Sequence, residues 1–204
     1  MKHLFLGFLS VAPLLTALFP RTKSSFPRQL ALSQGDSAPP RSAAAGLLAH
    51  LRASDILLDL DVADRAQLFA AIGRYLAEAH GLHQDCVTSA LQRREQIGST
   101  ALGHGVAIPC ARIKESSVVH VLYVRLRRPI EFAAPDGRPV SEAFVLLVPK
   151  QATEAHLHLL SEATQVFADQ RLRERLRLCC NAGEIIRSLA QWRQPSRISP
   201  PAGR

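Results

Sequence analysis

The sequence predicts a single α/β domain in which helices pack against a sheet. Two stretches have the apolar and β-branched content of buried strands, Val118–Leu126 and Ala143–Pro149. The segments on either side of this pair repeat apolar residues every three or four positions, which is the period of an amphipathic helix. Buried strands accompanied by amphipathic helices are typical of a layered α/β fold.

Charge divides the 204-residue chain into a central domain and two terminal segments. Residues 1–46 carry five basic side chains and one acid, and residues 193–204 carry three basic side chains and no acid. These ends hold seven of the eight net positive charges, so the middle, residues 47–192, is nearly neutral. We therefore expect one folded domain there, a linker before it, a tail after it, and no nucleic-acid partner, since such a partner needs a basic face.

The apolar run over residues 4–19 has two interpretations. It resembles a secretory signal or short membrane anchor, although Pro13 interrupts it and a spanning helix needs about 20 residues. Alternatively, translation begins further on and residues 1–46 are upstream sequence, which we favour because Met1 is the only methionine. The four cysteines have neither CxxC spacing nor disulfide density, so a reduced, cytoplasmic setting is expected unless residues 4–19 attach the chain to a membrane.

The first half of the domain should form a short strand and two helices. Residues 54–64 contain an alternating apolar strand and end at Asp64, a typical N-cap residue. The first helix should then end before Gly81, which suits the left-handed position after a helix. The second should cover about residues 84–96 and carry Arg94 in its last turn.

The second half should contain the two apolar strands and three helices. Residues 134–140, APDGRPV, have the composition of a turn between the strands. Thr153 can cap a helix that reaches about Ala168. Two shorter helices should follow over about residues 170–178 and 182–191.

A glycine-rich segment suggests an anion site. Gly98–Gly105, GSTALGHG, is predicted to be a loop whose three glycines allow close backbone approach and turn N–H groups toward an anion. It matches neither the P-loop nor the dinucleotide fingerprint. Arg94 precedes it, and His156 begins the helix after the long apolar strand. A guanidinium, an imidazole and such a backbone can together hold a phosphoryl group.

Three stretches in this order carry a family resemblance: RREQIGSTALGHGVAIPCARI, RPIEFAAPDGRPVSEAFVLLVP and HLHLLSEATQVFAD. They resemble the IIA domains of the fructose/mannitol type in the bacterial phosphoenolpyruvate-dependent phosphotransferase system (PTS), especially the nitrogen-regulatory branch. The resemblance covers about Leu47–Trp192. It implies a central mixed β-sheet flanked by helices, with no cofactor and no metal.

The same resemblance implies a phosphoryl-transfer site and its partners. The residue after Ile-Pro would accept the phosphoryl group from an HPr-type phosphocarrier, and His156 would assist beside it. Arg94 would bind the phosphate itself. The glycine-rich loop adds four candidate phosphate-binding residues, Ser99, Thr100, Gly103 and Gly105. Regulatory targets of the nitrogen-regulatory branch, such as sensor kinases or potassium transporters, are the other expected partners.

The acceptor position departs from the family, because it holds Cys110 where the family has histidine. One interpretation is a phosphocysteine relay, in which Arg94 and a nearby His156 favour the thiolate. A thiol is, however, roughly 2–3 Å shorter than an imidazole, and near-attack contact requires about 3–3.5 Å. The interpretation we favour is a regulator whose phosphorylation is lost and which acts by protein–protein interaction, so that it is not catalytic. A thiol redox sensor is the third.

Four further side chains have simpler expected roles. His156 and His158 are two positions apart, hence on different helix faces, so they should not form a metal pair, and His158 should be a surface or packing histidine. Cys179 and Cys180 are expected to be buried structural thiols. His104 occupies a loop position where the family commonly has Asn or Gln, which is a second departure.

Overall fold

The computed structural model describes residues 45–151 and 153–192. Predictions about residues 1–44 and 193–204 lie outside the described residues. In chain order the elements are α1 (Ala45–Leu48), a 3-10 turn (Ala53–Asp55), β1 (Ile56–Leu60), α2 (Arg65–His80), α3 (Gln84–Ile97), β2 (Ala101–Gly103), β3 (Val106–Ala107), β4 (Cys110–Ile113), β5 (His120–Ile130), β6 (Val140–Pro149), α4 (Glu154–Ala168), α5 (Gln170–Leu178) and α6 (Ala182–Gln191).

The six strands form one mixed sheet, as the family resemblance implies. Its order is β1-β5-β6-β3-β2, and β4 also pairs with β6. Strands β5 and β6 are antiparallel, whereas β1 runs parallel to β5 and both β3 and β4 run parallel to β6. Strand β6 is therefore the central strand against which the candidate site is assembled.

Helices cover the sheet and bury alternate residues of its strands. One core cluster unites α2 and α3 with sheet residues such as Leu122, Val145 and Leu147. The neighbouring residues in β5 and β6 point the other way, where Tyr123 and Phe144 lie against Phe167 of α4. Each such side chain removed from water contributes about 1.5–3 kcal/mol before conformational entropy is subtracted.

Local signals place the helix ends where the sequence predicts them. The Asp64 carboxylate accepts the N–H of Gln67 at 2.8 Å, which makes it the N-cap of α2. Gly81 ends the same helix at φ +69° in the left-handed region. The turn between β5 and β6 contains Gly137 at φ +67°.

The prediction of one glycine-rich loop before Cys110 is wrong. The chain there makes the β2–β3 hairpin, and Cys110 begins a further strand, β4. The cause is non-local, since β3 and β4 obtain their hydrogen bonds from β6, more than thirty positions away in the sequence. A two-residue strand carries no periodicity of its own, so its existence depends on this pairing.

Candidate phosphoryl-acceptor site

The Cys110 thiol and the Arg94 guanidinium lie together inside the protein. Cys110 opens β4 opposite Leu146 of β6 and has no solvent exposure. Arg94, in the last turn of α3, is 7% exposed and hydrogen-bonds to the thiol, and its Nη1 also donates to the carbonyl of Gly98 at 2.9 Å. Its buried Nε–H finds no acceptor among the described residues.

Burial decides the protonation state of this thiol. Loss of solvation raises the pKa of Cys110 to about 11, and the opposing effects of the Arg94 charge and hydrogen bond are smaller. The Glu95 carboxylate raises this pKa further. Arg94 thus favours the thiolate, as expected, but burial outweighs it, because a neutral thiol tolerates this apolar position far better than an anion.

The first part of the predicted loop is tied to Glu95. The Thr100 N–H lies 3.2 Å from both carboxylate oxygens of Glu95, and its hydroxyl donates to one of them at 2.6 Å. Arg65 pairs with the same carboxylate at 3.1 Å. The Ser99 hydroxyl donates to the carbonyl of Phe132 at 2.7 Å. These donors of Ser99 and Thr100 thus have partners within the protein.

The second part of the predicted loop is the turn of the β2–β3 hairpin. Its backbone does point an N–H at an anion, but the anion is the Asp136 carboxylate, which accepts the N–H of His104 at 2.6 Å. The carbonyl of Gly105 accepts the N–H groups of Ser141 and Glu142 on β6. Cys110 pairs with the same strand about four residues further on, which corresponds to roughly 13 Å. Gly103 and Gly105 accordingly lie away from the thiol.

His156 has a different environment from Cys110. It is half-buried in the first turn of α4 and lines a cavity of about 490 Å³ together with His50, His80 and His120. Burial, and after it the His50 charge, lower the pKa of His156, whereas the charges that act on Cys110 are those of Arg94 and Glu95. The described walls of this cavity do not include Cys110.

The capping interaction of α4 fixes the proton of His156. Its Nδ1 accepts the backbone N–H of Thr153 at 2.8 Å, which is the reciprocal bond of a capping box. An accepting Nδ1 carries no proton, so the neutral ring bears its proton on Nε2. His156 is thereby available as a neutral N–H donor, because protonation of its Nδ1 would break the cap.

Comparison with known families assigns the domain. Residues 49–192 match the family described as "Phosphoenolpyruvate-dependent sugar phosphotransferase system, EIIA 2". The chain belongs to this family.

Relatives and solved structures place this EIIA 2 domain near the nitrogen-regulatory proteins. It is 36% identical over 135 residues to the nitrogen regulatory protein of Bradyrhizobium diazoefficiens, covering 66% of this chain and 88% of that one. Nitrogen regulatory protein IIA-Ntr from Neisseria meningitidis has a solved structure with 39% identity and a TM-score of 0.66, over 70% of this chain and 98% of that one. The IIA mannitol domain of Escherichia coli, at 19% identity and a TM-score of 0.57, shares the fold over 68% of this chain and 98% of that one.

One further histidine and two cysteines of this EIIA 2 domain had predicted positions at the surface or in the core. His158 is exposed, so of the two expected roles it has that of a surface histidine. Cys179 is buried, but Cys180 is exposed, so the prediction of two buried thiols is wrong for Cys180. The reason is that helix α5 ends at Leu178, and the chain then turns Cys180 outward while Cys179 packs beneath the helices. No group of metal-ligating side chains occurs among the described residues.

The sequence analysis did not identify several side chains that hold the Cys110 region in place or that surround His156. Glu95 lies inside the R-E-x-x-G-S-T motif and Asp136 inside the turn between β5 and β6, so each had a local signal as a polar residue beside a glycine-rich segment. The histidines around His156 had none, because the cavity walls come from elements far apart in the chain. Within the described residues, no helix has both the length and the apolar character needed to cross a membrane.

Proposed function

We propose that this chain is a nitrogen-regulatory EIIA 2 protein that has lost phosphorylation and acts by binding other proteins. The observation that carries the proposal is the solvent-inaccessible Cys110 at the position where the family has its acceptor histidine. Membership of the family and the nitrogen-regulatory relatives supply the frame for this interpretation.

Two physical arguments support the loss of phosphoryl transfer. A nucleophile must come within about 3–3.5 Å of the phosphorus atom, and a short, fully buried thiol cannot reach a donor that docks on the surface. In addition, a thiol with a pKa of about 11 is ionised in about one molecule in 10,000 at neutral pH, so the nucleophilic form is scarce.

The surroundings of the thiol point in the same direction. Arg94 remains in place beside Cys110, yet its buried Nε–H has no acceptor in the described part of the chain. A buried donor without a partner is costly, about 1–3 kcal/mol, and is rare in folded proteins. This supports a site that once held the larger side chain of an acceptor histidine. Arg94 remains there, but the nitrogen atom that would accept the phosphoryl group is gone.

Loss of the acceptor histidine would keep the protein permanently in its unphosphorylated form. A phosphoryl group adds about 1.5–2 negative charges at neutral pH and so alters any surface around it. Without it, an HPr-type carrier could dock but not transfer, and a partner such as a sensor kinase or a potassium transporter would always meet the same surface. The proposed activity is therefore constitutive binding.

The decisive experiment is a phosphorylation assay read by intact mass. The purified full chain is incubated with phosphoenolpyruvate, Enzyme I and an HPr-type carrier, alongside a histidine-bearing relative as positive control. We expect no added phosphoryl group on the wild-type chain and a gain of one on Cys110→His. Circular dichroism and thermal unfolding check that the larger side chain is accommodated.

Two results would contradict the proposal. A phosphoryl adduct on the wild type that disappears in Cys110→Ala would establish the phosphocysteine relay instead. Rapid oxidation of Cys110 by peroxide that depends on Arg94 would favour the redox sensor, because thiol oxidation requires the thiolate.

A further inference from the structure

The cavity beside His156 has the construction of a ligand site. Its volume of about 490 Å³ is in the range of small-molecule pockets. The walls come from four places: the stretch after α1, the end of α2, the start of β5 and the start of α4. The lining includes apolar side chains, Ala49, Val118 and Val119, and it also includes histidines and Arg52.

Arg52 gives the cavity a permanent positive charge. None of the ion pairs formed within the described residues includes its guanidinium, although its charge is felt by His120 and Tyr75. His50 lies on the same wall and acts electrostatically on His156. Arg52 and His50 are both exposed, so a guanidinium without a carboxylate ion pair lies here within reach of an anion that enters from solution.

The one carboxylate in the wall is already satisfied. Asp55 is 2% exposed, and its Oδ1 lies 2.7 Å from His80 Nε2 and accepts the Tyr75 hydroxyl at 2.9 Å. Its Oδ2 accepts the backbone N–H of Arg52 at 3.2 Å. The Asp55 charge is thus compensated within the protein and leaves the Arg52 guanidinium for a ligand.

Two histidines of the lining have fixed hydrogen-bond partners. His156 carries its proton on Nε2 because its Nδ1 accepts from Thr153. His120 is 8% exposed, its Nε2 is 2.9 Å from the Ser116 hydroxyl, and its ring packs edge-to-face on His80 with centroids 5.0 Å apart. Burial and the His80 charge lower the pKa of His120, the Arg52 charge lowers it further, and the Asp55 carboxylate opposes these effects.

We propose that this cavity binds a small organic anion, a carboxylate or a phosphate ester with a short aliphatic body. Arg52 and the Nε2–H of His156 would hold the acidic group, and Ala49, Val118 and Val119 would contact the aliphatic part. Cys110 is not among the described residues that line this cavity. The phosphorylation assay tests Cys110, and the titration described below tests the cavity. Either proposal can therefore fail without the other.

The test is a titration followed by NMR of the histidine rings. The full-length chain, labelled with ¹³C in histidine, is titrated with inorganic phosphate and separately with succinate, with potassium chloride at matched ionic strength as the blank. We expect saturable ring shifts for His50, His120 and His156, while His83 and His158, which lie outside the cavity, do not move. Saturation by phosphate alone or succinate alone identifies the acidic group.

Matched variants separate a built site from general charge screening. Arg52→Gln should weaken binding at least fivefold, because it removes the permanent charge. Arg74→Gln, an exposed arginine of α2 outside the cavity, should leave the affinity unchanged. His50→Gln is a second probe of the same wall. Shifts that do not saturate, that also occur with potassium chloride, or that persist equally in Arg52→Gln would overturn the proposal.

Discussion

At the scale of single residues, Cys110 shows how burial outweighs a neighbouring charge. A cation next to a thiol normally lowers its pKa, and sequence reasoning stops there. In this fold the thiol opens a strand opposite the central β6 with no solvent exposure, so desolvation is the larger effect. The residue identities alone predict the pair, but only the depth of the site gives the direction of the pKa shift.

Cys110 should resist alkylation in the native protein. With iodoacetamide at neutral pH we expect the exposed Cys180 to be modified at least a hundredfold faster than Cys110, because Cys110 is both buried and un-ionised. Peptide mass mapping over time gives both rates. Labelling in guanidinium should bring them together, and equal rates in the folded protein would contradict this account.

A second prediction at this scale concerns His104. It lies at φ +55° and Gly105 at φ +82° in a two-residue hairpin loop, where Asn-Gly is the preferred pair. His104→Asn should therefore raise the free energy of unfolding by about 0.5 kcal/mol. The bonds that His104 makes to Asp136 and Arg177 use its backbone and survive the change. Urea unfolding measures the gain, and a loss of stability would show that the imidazole has a contact of its own.

At the scale of elements, the β2–β3 hairpin joins several parts of the fold. Its turn is held by the carboxylate of Asp136, by the backbone of β6 and by Arg177 of α5, which donates from Nη2 to the carbonyl of His104 at 2.8 Å. The packing is tight at Gly105, where an added Cβ would lie 3.2 Å from both the Arg177 Nη2 and the Ser141 Oγ, so that these side chains would have to shift.

Two glycines of this region make a matched pair. Gly105→Ala should destabilise the protein by about 1–3 kcal/mol, because it combines a positive φ with close contacts. Gly98→Ala should change stability by less than about 0.5 kcal/mol, since Gly98 has extended backbone and open space around it. Urea denaturation of the two variants side by side gives the difference. Similar losses in both would mean that the hairpin is not tightly packed.

Local elements were predictable from the sequence and non-local ones were not. Asp64 and Gly81 define the ends of α2 through neighbours within four residues, so a short window suffices. Strand β4 and the cavity walls depend on pairing and packing between distant segments, which no short window contains. The pairing of Arg94 with Cys110 was predictable because one motif includes both residues, whereas the histidines that line a cavity with His156 were not predicted.

At the scale of the whole molecule, two sets of titratable groups have shifted pKa values, surface carboxylates and the histidines of the cavity. Surface carboxylates such as Asp136 and Glu115 have lowered pKa values, Asp136 chiefly through the His104 N–H and Glu115 chiefly through Cys86. The histidine cavity instead contains groups whose pKa values lie below the ordinary value of 6.5. These histidines therefore bind a proton less readily in the folded state than in the unfolded chain, where they have their ordinary pKa.

Stability should therefore fall on mild acidification. Because the folded pKa values of His120 and His156 are lowered, the unfolded chain binds protons first as the pH drops through about 6.5, and the free energy of unfolding decreases from there down. Urea unfolding between about pH 7.5 and 5.5 measures this slope. The range stops above the pH at which carboxylates titrate, because the raised pKa of the half-buried Glu162 acts there with the opposite sign.

His156→Gln isolates one contribution to this slope. Glutamine at the third position of a helix can still accept the N–H of Thr153, so the capping box of α4 is kept while the titrating group is removed. The variant should flatten the decrease in unfolding free energy below about pH 6.5, whereas the exposed His158→Gln on the same helix should leave the wild-type slope. If His156→Gln keeps the full slope, the capped imidazole is not the group that acid must protonate, and His120 alone would account for the pH dependence.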